Sequence, residues 1–490
     1  MRHWLRSTDE RLEHFLTAWR IPLFVALIAI FLAVRVVQLY TRPLWFDELS
    51  TFHVSRSFAF RELPFILTHS RDSQPPLYHL LNMPFLWLLG DRPESIRWVS
   101  LIAAVIGLVA LFRWLCRTVS AAAALGAAAF LSASSLGFYS TEARPYALWF
   151  CFLSLAIATE KLPLRILFLT LSGCVHFFGA IAALPLAFAE KTWPRRLAYV
   201  AILPPAIFSL LIAPSPEEQK LKPLAAVDWH FASSAIASLC GPILLVVLGA
   251  LLLVRLPFRS ARQAIVVSAL LAAGCLAVLS LFSRLSTPFY PRYAFPLLSA
   301  IAIFLAWCIA NSRLPGILAI SILISAISLI PLRAQKTLSV SELPLAQWLD
   351  PFFSRYQYPF VTDSYFFVGL SWHLKDPNRA RLHYAYDQPT PFSWRDRRIA
   401  TMAAWIAVHE GQGRHDTFRS LIEMGQPFAL LQRKGYANQF KRSLAEASAK
   451  ITPLGSFQGH DLVLVEPMPK ALPGDRSGSS AGAQPTLRIP

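Results

Sequence analysis

The stretch Ile21-Pro22-Leu23-Phe24-Val25-Ala26-Leu27-Ile28-Ala29-Ile30-Phe31-Leu32-Ala33-Val34-Arg35-Val36-Val37-Gln38-Leu39-Tyr40 decides the fold. A helix rises about 1.5 Å per residue, so a hydrocarbon core about 30 Å thick takes roughly 20 apolar residues, and this run is long enough to cross it. Arg2, Arg6, Arg11 and Arg20 precede it and no clear small-residue cleavage site is present. It reads as an uncleaved anchor with its N-terminus in the cytoplasm. Arg35, inside the run, is expected to snorkel outward.

The composition agrees. Of 490 residues, 55% are hydrophobic and 15% charged, too apolar a balance for a soluble multidomain enzyme. Further apolar runs fall near residues 98–115, 119–139, 145–159, 164–189, 197–213, 233–254, 264–283, 293–311 and 314–331. Lys161 and Arg165 precede the run 164–189 while Lys191, Arg195 and Arg196 follow it, so it is expected to enter and return around His176 as two short helices. The run 77–89 has only 13 residues and is placed on the outer surface. About eleven spans result.

The 46 Lys and Arg against 28 Asp and Glu give a formal charge of +18, whose placement marks topology rather than a nucleic-acid partner. Fifteen basic residues fall on cytoplasmic flanks, and five (Arg144, Lys220, Lys222, Arg284 and Arg292) in the short outer loops. Counting 77–89 as a span would invert this positive-inside pattern. The expected location is the cell (inner) membrane. None of the expected spans carries a mid-membrane acid, which disfavours ion-coupled transport and an ion channel. The six cysteines lie in or beside apolar runs, so no disulfide framework or thiolate zinc site is indicated.

The fold class is therefore an all-α polytopic membrane protein of about eleven transmembrane helices with a C-terminal extracytoplasmic α/β domain. Residues 1–331 form the membrane domain, and its long first outer loop, 41–97, has the length of a functional loop. Residues 332–470 are polar and long enough to bury a core of their own. There, 358–363 and 380–386 read as strands flanking a helix, 427–432 as another strand, 436–450 as a helix and 451–466 as a hairpin. Gly411-Gln412-Gly413 lacks the third glycine of a dinucleotide site and reads as a turn. The Gly-, Ser- and Pro-rich tail, 471–490, is expected to be disordered.

Four clusters meet the outer interface on this topology: Trp45-Phe46-Asp47-Glu48, Ser73-Gln74-Pro75-Pro76-Leu77-Tyr78-His79, Tyr139-Ser140-Thr141-Glu142-Ala143-Arg144-Pro145-Tyr146, and Pro291-Arg292-Tyr293. His176 stands at a fifth corner. A carboxylate facing a wet cleft can take a proton from an acceptor hydroxyl or amine, while arginines can hold an anionic phosphate by bidentate hydrogen bonds. This suits a reaction in which a sugar leaves a lipid phosphate and fixed cations stabilise the charge developing on it.

In these clusters the chain resembles the C-type (GT-C) superfamily of polytopic membrane glycosyltransferases, in the branch of protein O-mannosyltransferases and bacterial lipid A aminoarabinose transferases. The resemblance covers most of residues 21–331 and rests on Trp45-Phe46-Asp47-Glu48, Gln74-Pro75-Pro76-Leu77-Tyr78 and Glu142-Ala143-Arg144-Pro145-Tyr146, in that order. It implies a polyprenyl-phosphate sugar donor, inversion at the anomeric carbon, Asp47 as general base, and a surface helix 77–89 beside the donor cavity. The chain departs from the aminoarabinose transferases in having Gln74 where that pattern places a lysine before the paired prolines.

The candidate residues are thus Asp47, Glu48 and Glu142 for the chemistry, Arg144, Arg292, Tyr293 and Gln74 for the donor phosphate, and Tyr78, His79, Tyr146 and His176 for the cavity wall. No cofactor is required. Asp47 with Glu48 or Glu142 could bind a divalent ion through oxygen, though no dedicated ligand set is legible. The acceptor is a lipid, glycan or protein. Plainer readings stand beside these. Asp47 and Glu48 would also serve as helix-start acids, Glu142 and Arg144 as an interfacial ion pair, and Arg292 with Tyr293 as a snorkelling and aromatic-belt pair. A lipid-linked oligosaccharide flippase or exporter, and a noncatalytic envelope assembly protein, are the alternative functions.

Overall fold

The computed structural model describes residues 2–59, 77–176, 178–204, 262–284, 291–335, 342–362, 364–386, 414–433 and 449–467, with a few single positions between. Gln74, the expected spans 197–213 and 233–254 over most of their length, nearly all of the expected helix 436–450, the Gly411–Gly413 turn and the tail 471–490 lie outside them. The chain divides into two compact units, one built on Met1–Pro344 and the other beginning at Leu345.

The first unit is helical. Its main described helices are α1 (Arg2–Ala18), α2 (Arg20–Thr41), α3 (Phe46–Ala59), α4 (Leu77–Leu89), α5 (Pro93–Thr118), α6 (Ala121–Ala133), α7 (Tyr146–Ala158), α8 (Leu162–Val175), α9 (Arg262–Arg284), α10 (Pro296–Ala310) and α11 (Pro315–Gln335). Among the described residues, three helices are long and apolar enough to cross a membrane: Arg20–Thr41, Pro93–Thr118 and Pro315–Leu332. Other apolar helices, including Ala121–Ala133, Tyr146–Ala158 and Pro296–Ala310, are shorter. This is an integral membrane protein, in which the described helices account for part of the expected spans.

Shortening has local causes. The run expected at 119–139 stops at Ser134, whose hydroxyl donates to the Leu131 carbonyl at 2.7 Å and accepts from the Leu136 amide at 3.3 Å. Such side-chain bonds compete with the helix ladder and turn the chain, leaving only a four-residue helix, Leu136–Tyr139, beyond it. The run 164–189 breaks at His176, as expected. α8 ends there in extended backbone, and a short helix, Phe178–Ala183, follows.

α6 begins with the Ser120 hydroxyl accepting from the Ala123 amide, an N-cap that satisfies one orphan donor. All thirteen of its residues are buried, eight of them alanine. Small side chains let neighbouring backbones approach closely, which is how helices pack in lipid, and α6 is packed by α10 and α11. α4 lies against α3 and α5. It buries Tyr78, His79, Asn82 and Leu86 while exposing Leu80, Trp87, Leu88 and Leu89, the pattern of a helix with one face toward protein and one toward lipid.

Arg35 does not snorkel. It is 2% exposed, donates to the Gln38 side chain and fits above Gly137, where an added Cβ would stand 2.1 Å from its terminal nitrogen. Gly137→Ala should therefore displace Arg35 and lower stability by about 1–3 kcal/mol. Thermal unfolding in detergent checks this, and an unchanged midpoint would contradict the packing role.

In the second unit, α12 (Leu343–Arg355) leads into β1 (Phe360–Thr362), α13 (Ser364–His373), β2 (Leu382–Tyr386), β3 (Arg414–Thr417), β4 (Phe428–Arg433), β5 (Lys450–Phe457) and β6 (His460–Glu466). The sheet order is β3-β2-β1-β4-β6-β5. β1 pairs in parallel with β2 and β4, and β2 with β3, while β6 runs antiparallel to β4 and β5. Every residue of the central strand β1 is buried, as parallel strands covered on both faces require. β5 and β6 join through Gln458 and Gly459, both at positive φ (44° and 81°), the tight two-residue turn that matches strand twist.

Candidate active site

The site is built on the first turn of α3. Successive helical residues project about 100° apart, so the adjacent acids Asp47 and Glu48 face different surroundings. Glu48 is wholly buried. Its Oε1 accepts from Arg42 at 2.6 Å, from Arg97 Nε at 2.9 Å and from the Ala143 amide at 2.9 Å, and its Oε2 accepts from Arg97 at 2.8 Å. Burial alone would raise this carboxyl, but the charges of Arg42 and Arg97 together hold it below the usual carboxylate range. Arg97, also wholly buried, donates in addition to the carbonyls of Leu39 and Arg42 at 2.8 and 2.9 Å. Arg42 reaches the Thr141 carbonyl at 2.8 Å and lies 4.9 Å over the Phe138 ring. This knot ties the end of α2, the start of α3, and the Glu142–Arg144 segment into one piece.

Asp47 faces a different neighbourhood, with its side chain 21% exposed. Arg292 donates to its Oδ2 at 3.0 Å, and an Arg144 terminal nitrogen lies 3.9 Å from the same oxygen. Among the described residues no hydrogen bond reaches Oδ1. Arg144 also donates to the Thr51 hydroxyl at 3.2 Å, and that hydroxyl donates to the Asp47 carbonyl at 3.0 Å. Arg292 stacks over Trp45 and Tyr293, each 5.7 Å from its guanidinium carbon to the ring centroid. Three chain segments that are far apart in sequence thus converge on one carboxylate. Arg144 is not paired with Glu142, and Arg292 is not a lone belt residue.

Glu142 is fully buried, and among the described residues neither of its oxygens is hydrogen-bonded. Burial first, and then the charge of Glu48, push its carboxyl up to about 7 against the opposing pull of Arg42, Arg292 and Arg144. It is a titratable group at physiological pH set beside two arginines.

The wall residues divide. Tyr78 shares a 2.9 Å hydrogen bond with Ser100, which donates to the Arg144 carbonyl at 3.1 Å, so α4 and α5 brace the arginine's backbone. His79 turns toward α3, where its Nδ1 is 3.0 Å from the Ser55 hydroxyl, and Asn82 donates to that hydroxyl at 3.1 Å. His79 therefore joins two helices. Tyr146 is buried, its hydroxyl has no hydrogen-bond partner among the described residues, and its ring lies 5.5 Å from that of His176. His176 stacks on Trp149 at 4.4 Å and 8° and meets Tyr293 at 5.9 Å, an aromatic layer behind Arg292. Thr51, Arg42 and Arg97 were not among the residues expected from sequence. Thr51 and Arg42 carried no signal, while Arg97 was legible only as one of several charges after α4. Among the described residues no group of three or more His, Cys, Asp and Glu is placed to hold a metal ion.

The fold is that of a helical membrane protein with a small sheet-bearing C-terminal unit. Its described architecture is similar to two crystal structures of ArnT from Cupriavidus metallidurans, one bound to undecaprenyl phosphate (TM-score 0.54, 13% identity) and one in the apo state (TM-score 0.57, 14% identity). Each match covers 90% of this chain and 97% of that one. No protein-family model and no curated sequence matches the chain. At this identity the likeness is one of fold.

Proposed function

We propose that the chain is an inverting glycosyltransferase that moves a sugar from a polyprenyl-phosphate donor to a lipid, glycan or protein acceptor at the extracytoplasmic face of the inner membrane. On this reading the N-terminus is cytoplasmic and the C-terminal α/β unit is extracytoplasmic. The observation that carries it is the convergence of Arg144 and Arg292 on Asp47. The ArnT-like fold supports it, since one of those structures holds undecaprenyl phosphate.

Asp47 Oδ1 takes the proton of the acceptor hydroxyl or amine while Arg292 fixes Oδ2. The freed nucleophile attacks the anomeric carbon opposite the phosphate. The bond from that carbon to the phosphate oxygen breaks, and polyprenyl phosphate leaves as an anion stabilised by Arg144 and Arg292. Glu48 is a positioning residue in this scheme, because its oxygens are taken by Arg42, Arg97 and the Ala143 amide. Glu142 sets the charge facing the phosphate. A test is to supply purified protein with a polyprenyl-phosphate sugar and acceptor-containing membranes. A new glycosidic bond of opposite anomeric configuration supports transfer, whereas sugar-lipid moved intact across the bilayer supports a flippase instead.

The position of Glu142 gives a pH prediction. Below about pH 7 its carboxyl is protonated and neutral, and the arginines present their full charge to the phosphate. As pH rises through that value, ionised Glu142 opposes the anion, so the donor KM should rise. Glu142→Gln should flatten this dependence, and a profile identical to wild type would exclude the role.

A further inference from the structure

α1 presents three faces. Successive residues turn by about 100°, which puts Leu5, Asp9, Leu12 and Leu16 on the side turned to the protein, with Asp9 and Leu16 buried. Arg6, Glu10, His14 and Thr17 share a second side and are all exposed; there Arg6 pairs with Glu10 at 3.2 Å. Between these sides runs a third, holding Trp4, Arg11 and Phe15. Trp19 continues it, its amide donating to the Phe15 carbonyl at 2.9 Å and its ring stacked with that of Phe15 at 6.1 Å. Trp4, Phe15 and Trp19 are 67%, 43% and 53% exposed. An apolar patch of this kind marks a surface that something covers.

Contacts with α11 fix where α1 lies. Asp9 Oδ1 accepts from the Ile317 amide at 2.9 Å and so satisfies one orphan donor of the first turn of α11. α1 crosses Gly316 closely enough that an added Cβ there would stand 2.8 Å from both the Asp9 carbonyl oxygen and the Glu13 amide nitrogen. α11 enters the membrane from Pro315 and α2 from Arg20. From Glu13 to Arg20 is about 10 Å of helix, far short of a hydrocarbon core about 30 Å thick, so both spans start on the same side. Were α1 to continue the axis of α2 outward, Asp9 would stand about 16 Å beyond the start of α2, and the apolar start of α11 would be left in water. α1 therefore runs along the bilayer surface. Its aromatic stripe meets, at Trp19, the exposed stripe of α2 that carries Ile21, Val25, Val37 and Tyr40. We propose that α1 is an interfacial helix that seats Trp4, Phe15 and Trp19 in the phospholipid headgroup layer, with Arg11 against the lipid phosphates and Arg6, Glu10 and His14 in water. Tryptophan rings favour that layer, and an arginine can lay its stem on the apolar boundary while its charge meets the phosphates. A membrane-spanning chain is all that this requires, whatever reaction its site performs.

The test uses the full chain, with its native cysteines kept, in nanodiscs of phosphatidylcholine and phosphatidylglycerol. A nitroxide attached through an unnatural amino acid replaces Phe15 in one protein, His14 in a second and Trp4 in a third. Power saturation then compares collisions with oxygen, which concentrates in lipid, against collisions with a water-soluble nickel chelate. The apolar face of an interfacial helix sits about 5–10 Å into the headgroup and acyl boundary, so the oxygen-to-nickel ratio at positions 15 and 4 should exceed that at position 14 severalfold. The label at position 4 keeps Phe15 in place and guards against the loss of that ring displacing the helix; where the two positions disagree, position 4 decides. A nickel-dominated ratio there puts the stripe in water and overturns the proposal. Shielding from both reagents puts it against protein, whether a partner or a second copy of the chain, and overturns it equally.

Discussion

Asp47→Asn lowers sugar transfer by roughly 100- to 10,000-fold, the range supplied by a positioned general base, with expression and thermal stability close to wild type. Asparagine keeps the size of the side chain and an oxygen that can accept from Arg292, so the 3.0 Å contact has a replacement. What disappears is the capacity to take a proton from the acceptor. The expected pattern is a large fall in kcat with donor KM little changed, because the proposed phosphate ligands are Arg144 and Arg292. Assay in isolated membranes, normalised to protein amount, separates chemistry from expression. Turnover near wild type in this variant would remove Asp47 as the base.

The second large effect is structural. Arg97→Met strips Glu48 of its two Arg97 contacts and frees the carbonyls of Leu39 and Arg42. Breaking a buried ion pair from one side costs about 3–5 kcal/mol, mostly because the remaining charge stays buried without its partner. A pronounced drop in the thermal midpoint in detergent is expected, with activity falling as α3 loses its anchor. Combining Glu48→Gln with Arg97→Met should cost less than the sum of the two single substitutions, because the contacts between the two side chains are lost only once. Two-residue coupling of this kind is what a double-mutant cycle detects. If the two substitutions simply add, the residues are not acting as a pair.

Much of this was legible in the sequence, and the rest for stated reasons was not. Apolar run length with basic flanks identified a polytopic membrane protein, and alternation with turn residues located β1, β2, β4 and the β5–β6 hairpin near their observed ends. β3 escaped because Arg414-His415-Asp416-Thr417 is short and polar, and becomes a strand only by pairing at the sheet edge with β2. α12 went unnoticed because Pro351 interrupts its pattern.

At the site, the clusters carrying Asp47, Arg144 and Arg292 could be read from their residue types. The sequence did not distinguish Asp47 from Glu48. Both are acids at one helix start, and what separates them is a 100° turn that leaves Asp47 partly exposed beside Arg144 and Arg292 and buries Glu48 wholly against Arg42 and Arg97. Nor did it reveal the burial of Arg35, which depends on the space above Gly137.

The most direct measurement is binding of undecaprenyl phosphate to the purified chain by native mass spectrometry, comparing wild type with the Arg144→Ala, Arg292→Ala double variant. Arginines that hold the lipid phosphate predict saturable binding by the wild type and at least a tenfold weaker affinity in the folded double variant, each charge-assisted contact being worth about 1.5–3 kcal/mol. Equal affinity in the two proteins would contradict the phosphate site on which the proposed transfer depends.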